Sequence, residues 1–208
     1  MKLVLNCVVV ELAPDGRVLR GERNREAIAD ALLSLYEDGV LRPSVQQLAE
    51  RAGISTRSVH NHFVDMESLR AEVADQQWER HAHLAEPPAA ERPLPQRIER
   101  LVQRRAAFYE TVTPVRRAAL LSVHESPTIA RRLARLARLL RGQLETLFAA
   151  ELARGGDELL DALDVCTSWD AWDRLRTQQR LSVPATRRVL VAMLRALFEN
   201  QLDERERR

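Results

Sequence analysis

The chain has 208 residues, 45% of them hydrophobic and 30% charged, with a formal net charge of +2. These values suit one globular protein of one or two small domains with a sizeable core, and they exclude a disordered tail. No apolar run approaches the ~20 residues that cross a bilayer, and with ten Lys or Arg against thirteen Asp or Glu in residues 1–85, bulk charge does not announce a nucleic-acid binder.

Leu3 to Leu12 is strand-like in composition and precedes a Pro14-Asp15-Gly16 turn signal, so a short strand or hairpin arm is open for residues 1–16. With a single Lys2 and no small-residue cleavage site before Pro14, it does not read as a secretory leader, and a cytoplasmic location is expected. Cys7 and Cys166 are too few and too far apart for a disulfide framework or a zinc site, and two reduced thiols are expected.

From Asn24 the pattern is helical: Ile28, Ala31, Leu32, Leu35 and Tyr36 form one apolar stripe that ends at Asp38-Gly39. Ser44 is placed to cap a second helix, with Gln47 three residues on where a capping box wants it, and the helix runs to Ala52. Gly53 can take the left-handed conformation that stops it, and Ser55 caps a third helix reaching Phe63. Asp65 caps a fourth that continues to about Leu84. Pro87, Pro88, Pro93 and Pro95 then mark a connection over residues 85–95. Beyond it the spacing predicts helices from Gln96 to about Thr111, after Pro114, from Thr128 to about Arg154, from Asp157 to about Arg180 after a Gly155-Gly156 turn, and a last one opened by Pro184. With only seven glycines and this periodicity, the fold class is all-α.

The segment Ser44 to Phe63, SVQQLAERAGISTRSVHNHF, carries the most information. Two short helices joined by a Gly-containing turn, with Val45, Leu48, Ala49, Ile54 and Val59 facing inward, form a helix-turn-helix pattern. The second helix leaves Thr56, Arg57, Ser58, His60, Asn61 and His62 turned outward, short polar and basic groups able to reach base edges and phosphates. Arg57 can bind guanine O6 and N7 together and Asn61 can pair with adenine in the same way, while Ser58 and Thr56 suit phosphate or a thymine methyl.

Together with NREAIADALLSLYEDG before it and FVDMESLRAEV after it, this segment resembles the DNA-binding domain of TetR/AcrR-type transcriptional regulators, over roughly Asn24 to Val73. The resemblance implies a three-helix helix-turn-helix domain followed by a helical ligand-binding and dimerisation domain, acting as a homodimer that represses a palindromic double-stranded DNA operator and releases it on binding a small-molecule effector. Ser44 matches the family position that caps the second helix and touches a phosphate, and Thr56, Arg57 and Ser58 match the exposed start of the recognition helix. The sequence departs from the family at His60, where a phosphate-contacting Tyr is usual, and at Met66, where a Lys often begins the fourth helix. These losses shift the expected backbone contacts to a basic arm holding Arg17, Arg20, Arg23 and Arg25, which can enter a minor groove. They also keep alive an alternative, a helical ligand-sensing or protein-interaction protein whose helix-turn-helix no longer reads DNA.

The domain expectation is therefore residues 17–84 for DNA binding with its arm and residues 96–208 for effector binding and dimerisation. Phe108, Tyr109, His124, Cys166 and Trp169 are the groups expected to line an effector pocket, apolar with few polar anchors. Leu159, Leu163, Trp172, Leu175, Val189, Met193 and Leu197 are the dimer-interface candidates, partly from the family's habit of pairing two helices per subunit. Nothing pairs a nucleophile with a base, His124-Glu125 stands alone, and His60/His62 and His81/His83 are spaced so that their rings splay apart, so no enzyme, metal or cofactor is expected. The helix after Thr128 sets Ile129, Leu133, Leu136 and Leu140 against Arg131, Arg135 and Arg138, a pattern read as a buried stripe with a solvated side and not as a membrane surface.

Overall fold

The computed structural model describes residues 16–206, with side chains from 20 to 200, so the strand expected within Leu3 to Leu12 and the side chain of Arg17 lie outside the described residues. Every regular element among the described residues is helical, in the order α1 (Gly16–Glu37), α2 (Val45–Ala52), α3 (Thr56–His62), α4 (Met66–His81), a 3-10 turn (Ala82–Ala85), α5 (Leu94–Leu120), α6 (Pro127–Leu147), α7 (Ala149–Cys166), α8 (Trp169–Asp173), a π-helical turn (Arg174–Gln178) and α9 (Val183–Glu206). They form two compact units that divide between Leu69 and Arg70.

In the first unit, α1 supplies Ile28, Ala29, Leu32, Leu35 and Tyr36 to a core completed by Leu48 and Ala49 of α2 and Val59 of α3. Among the described residues α1 is continuous from Gly16 to Glu37, with no proline to interrupt it. Arg20 and Arg23, expected in a basic arm ahead of the first helix, and Arg25 are all residues of α1, so the arm is corrected to a helix at these positions.

The division falls inside α4 and not at the prolines expected to mark it. The reason is that the second half of α4 packs in the helical body: Gln77 is buried, and Trp78 meets Phe108 of α5 edge-on with ring centroids 6.2 Å apart. Leu84 and Ala85 lie against the same core and Pro88 is buried, so the Pro-rich stretch belongs to the second unit.

The core of the second unit runs through Ile98, Leu101 and Phe108 of α5, Leu140, Leu144 and Leu147 of α6, Leu159 and Leu163 of α7, and Leu190, Leu194 and Phe198 of α9. α6 packs along α7, and α5 and α7 each pack along α9. Three helix boundaries differ from those expected. α5 continues through Pro114, which removes only one backbone donor, and Val115 and Ala118 beyond it are buried. Thr113 Oγ1 donates to the Tyr109 carbonyl (2.5 Å), holding the turn just before the proline. The expected long helix to Arg154 breaks at Phe148, whose ring is fully buried beside Phe198, at 5.0 Å between centroids. The expected helix to Arg180 ends at Cys166, because Ser168 caps a new start by accepting from the Ala171 N–H (3.1 Å). At Gly155-Gly156 the chain does turn: Gly156 has φ 66 and interrupts α7.

The break at Phe148 is clamped by Arg97 of α5, which is 8% exposed. Its guanidinium donates to the Leu147 carbonyl at the end of α6 (2.6 Å) and forks onto both carboxylate oxygens of Glu151 in α7, and it stacks on the Phe148 ring. The Arg97 hydrogen bond holds the Glu151 carboxyl below the usual carboxylate range. Removing Arg97 leaves the half-buried Glu151 without its partner and the Leu147 carbonyl without its donor, so Arg97→Met is expected to lower stability by about 1–3 kcal/mol in urea denaturation at neutral pH. Because the folded pKa of Glu151 lies below its unfolded value, its contribution is complete above the usual carboxylate range and is lost as pH falls through the folded value. The stability gap between the protein and Glu151→Gln is therefore expected to close on acidification, and a gap that stays constant would show the pairing to be unimportant.

Candidate nucleic-acid interface

The helix-turn-helix is assembled by its ends. Ser44 and Gln47 form a reciprocal capping box: the Gln47 N–H donates to Ser44 Oγ (3.2 Å) and the Ser44 N–H donates to Gln47 Oε1 (2.9 Å). Gly53 closes α2 with φ 68, a left-handed conformation in which a side chain would be strained. Ser55 then caps α3 by accepting from the Ser58 N–H (3.1 Å), and Asp65 caps α4 by accepting from the Ser68 N–H (2.7 Å). That last hydrogen bond lowers the Asp65 pKa from its ordinary value.

Two arginines that sequence reading did not assign to structure fix these short helices on α1. Arg51 of α2 donates to Ser34 Oγ (2.5 Å) and pairs with Asp38 (2.7 Å). Arg25 of α1 lies over the Phe63 ring (4.7 Å) and donates to the His62 carbonyl (3.4 Å) at the end of α3, where a cation also suits the helix dipole. Arg25 is thus a structural clamp. His62 is half-buried, close to Gly21 of α1. Its neighbourhood favours packing over a solvent-facing role, a distinction invisible in the HNH tripeptide.

Thr56, Arg57, His60 and Asn61 are exposed on the outer face of α3, and Ser58 is half-buried beneath them. Among the described residues, Arg57 has no hydrogen-bond or ion-pair partner, so its fork is available to a ligand. Ser44 is exposed at the start of α2, and its hydroxyl accepts from the helix while keeping its own proton to donate. Arg20 and Arg23 are exposed along α1. Val64, the residue after the C-cap of α3, is 95% exposed and was not singled out by the sequence pattern.

Residues 27–73 match the family model described as bacterial regulatory proteins, tetR family. This segment is a TetR-family domain. A comparison with curated proteins gives no match. Among solved structures, a transcriptional regulator from Rhodococcus sp. Rha1 superposes with a TM-score of 0.66 at 18% identity, covering 85% of this chain and 96% of that one. A TetR-family transcriptional regulator from Streptomyces coelicolor gives a TM-score of 0.66 at 18% identity over 88% and 89% of the two chains. A regulator of the same family from Mesorhizobium loti gives 0.61 at 21% identity over 86% and 97%. The TetR-type fold therefore extends over both units, a helix-turn-helix followed by a helical body.

In that body the residues expected to line a pocket are differently placed. Phe108, Tyr109 and Trp169 are buried in the core, Cys166 is half-buried, and His124 is exposed in the α5–α6 connection. A cleft of about 210 Å³ lies between α5 and the π-helical turn, lined by Glu110, Thr113, Pro114, Arg117, Trp172 and Arg176 among others, and none of the five expected residues faces it. Its charges are closed on one another in the pairs Glu110–Arg176 (3.0 Å) and Arg117–Asp173 (2.6 Å). Four of the expected interface residues are also corrected: Leu159, Leu163, Trp172 and Leu175 are buried in the subunit's own core and cannot be offered to a partner without unpacking it. Val189 and Leu197 are partly buried on α9, while Met193 is 39% exposed there. Among the described residues, no helix is long and apolar enough to cross a membrane.

Loss of the capping box leaves helix donors unsatisfied, so Ser44→Ala is expected to lower the stability of the helix-turn-helix by about 1 kcal/mol. Hydrogen exchange of the α2 amides should rise accordingly, and unchanged protection would show that the cap is not what holds α2.

Proposed function

We propose that the protein is a homodimeric transcriptional repressor that reads a palindromic operator with α3 and releases it when its helical body binds a small molecule. The observation that carries this reading is the outer face of α3, where Thr56, Arg57, His60 and Asn61 stand exposed on a helix whose inner face is locked by Val59 and Phe63. A recognition helix needs that division, because base edges are reached only by side chains with no structural duty. Arg57 is the base reader, Asn61 a second one, and Ser44 and Thr56 position the backbone through phosphates, with His60 donating where a family tyrosine would. Arg20 and Arg23 meet phosphates from a helix, not from an arm in the minor groove.

Dimerisation is assigned to the outer side of α9 around Val189, Ala192, Met193 and Ala196, which the subunit core leaves at least partly exposed. Such a two-fold dimer addresses half-sites about one helical turn apart. Ligand release is supported by the TetR-type body; one of its structural neighbours is a multidrug binding protein complexed with imidazole, with a TM-score of 0.57 at 20% identity over 82% of this chain and 92% of that one.

Selection of bound sequences from a random duplex pool at near-physiological salt tests the reading. An enriched palindrome is the expected result, and no enrichment by a folded protein overturns it. Arg57→Ala is expected to lower operator affinity by roughly 1–3 kcal/mol while leaving affinity for random DNA nearly unchanged. Equal losses on both would remove Arg57 from base readout.

A further inference from the structure

Helix α5 buries two arginines eight residues apart, and the fold treats them differently. Arg97 has Glu151 as a counter-charge. Arg105, at 3% exposed, has none among the described residues: its guanidinium donates to Tyr109 Oη (3.1 Å), to the Leu140 carbonyl of α6 (2.8 Å) and to Gln143 Oε1 (3.5 Å), all neutral acceptors. Its Nε is buried with no partner at all. A fixed positive charge taken out of water with no anion beside it is among the most expensive arrangements in a core, and it is relieved when an anion joins it.

The surroundings describe that anion. Tyr109, which accepts from Arg105, passes its own proton to the Thr167 carbonyl (2.7 Å), so it has no donor left to offer an anion and the guanidinium is the anchor. Further along the same face of α5, Arg116 lies over the Trp169 ring (4.8 Å) with its Nε also buried and unpartnered, and it has only a loose pairing with the exposed Asp170 (3.7 Å). The rest of the neighbourhood is the apolar core of Phe108, Leu140, Leu144 and Trp172. One uncompensated guanidinium calls for one negative charge, its fork matches the two oxygens of a carboxylate, and the aromatic and aliphatic side chains packed around it match an apolar body.

We propose that Arg105 anchors an amphipathic organic monocarboxylate and that this is the class of effector to which the protein responds. The proposal rests on the ligand-responsive reading given above. The carboxylate takes Arg105 from the Leu140 carbonyl, because a charge-assisted fork outcompetes a neutral acceptor. That loosens α5 from α6. α6 is in turn tied to α4 through Arg132 and Asp75 (2.6 Å), and α4 begins at Met66, next to the helix-turn-helix, so occupancy at Arg105 has a physical route to DNA affinity.

The test uses the full-length protein with matched probes: benzoate against benzyl alcohol, octanoate against octanol, and acetate as a carboxylate without an apolar body. At least one of benzoate and octanoate is expected to raise the Tm by several degrees at millimolar concentration, with the alcohols and acetate leaving it unchanged. Calorimetric titration of the Arg105→Met variant is expected to show that carboxylate bound roughly tenfold more weakly or worse. Should Arg105→Met fail to fold, Arg105→Lys keeps the charge without the fork and is expected to keep the preference for carboxylate over alcohol at reduced affinity. The proposal is overturned if neither carboxylate shifts the Tm of the unmodified protein, or if a folded Arg105 variant binds it undiminished. If alcohols shift the Tm and displace operator DNA while carboxylates do neither, the anionic anchor fails and the ligand-responsive reading stands. If carboxylates bind through Arg105 but no DNA sequence is ever selected, the anchor stands and that reading falls.

Discussion

Helices α2 and α3 are eight and seven residues long, well under the ~12–15 residues at which an isolated helix becomes even marginal in water. Everything the first unit presents to a ligand depends on satisfying their ends and burying one side of each. The sequence devotes Ser44, Gln47, Gly53, Ser55 and Asp65 to the ends, and Leu48, Ala49, Val59 and Phe63 to the buried side. α1 serves as the rigid wall. The two arginine clamps complete the arrangement, Arg51 joining α2 to α1 and Arg25 joining α1 to the end of α3. With structural duties assigned to these residues, the outer face of α3 is released from any role in folding, and its chemistry can vary without cost to the domain.

The second unit solves a different problem. Its long helices are stable through packing, and what needs specifying is how α6 sits beside α5, which is done partly with guanidinium groups reaching across from α5. Arg97 is held at both ends by charge and carbonyl, whereas Arg105 is held by neutral acceptors alone. The first makes a permanent fastening. The second makes one that a stronger acceptor can undo, and the two lie on the same helix, so loosening one need not unfold the other.

Much of the first unit was legible in the sequence because its signals are local. A serine three residues before a glutamine, a glycine after an alanine, and a serine opening an apolar-periodic run each have one physical reading, and all three caps stand where the spacing put them. What the sequence hid was longer in range. Arg20, Arg23 and Arg25 were expected in an arm because His60 and Met66 remove family phosphate contacts, whereas the helix that starts the apolar stripe reaches back to Gly16 and includes all three. Pro114 looked like a boundary, yet burial on both sides outweighs one lost hydrogen bond. Phe148 carries no breaker signal, and its break is fixed by Arg97, fifty-one residues earlier in the chain. Leu159, Leu163 and Trp172 are apolar at helical spacing whether they face a partner or their own core, and spacing alone cannot separate those cases.

The placement of the indole rings has a consequence for how the protein can be observed. All three tryptophans, Trp78, Trp169 and Trp172, lie after the division of the chain, and each is fixed by its neighbours: Trp78 edge-on to Phe108, Trp169 donating to Thr113 Oγ1 and Trp172 to Glu110. The helix-turn-helix unit contains none. Selective excitation of indole fluorescence therefore sees the helical body alone, with the Trp172 ring 6.4 Å from that of Tyr109. Unfolding of the helix-turn-helix unit passes unseen in that signal, and a lag between fluorescence and far-ultraviolet circular dichroism would separate the two units within a single unlabelled sample.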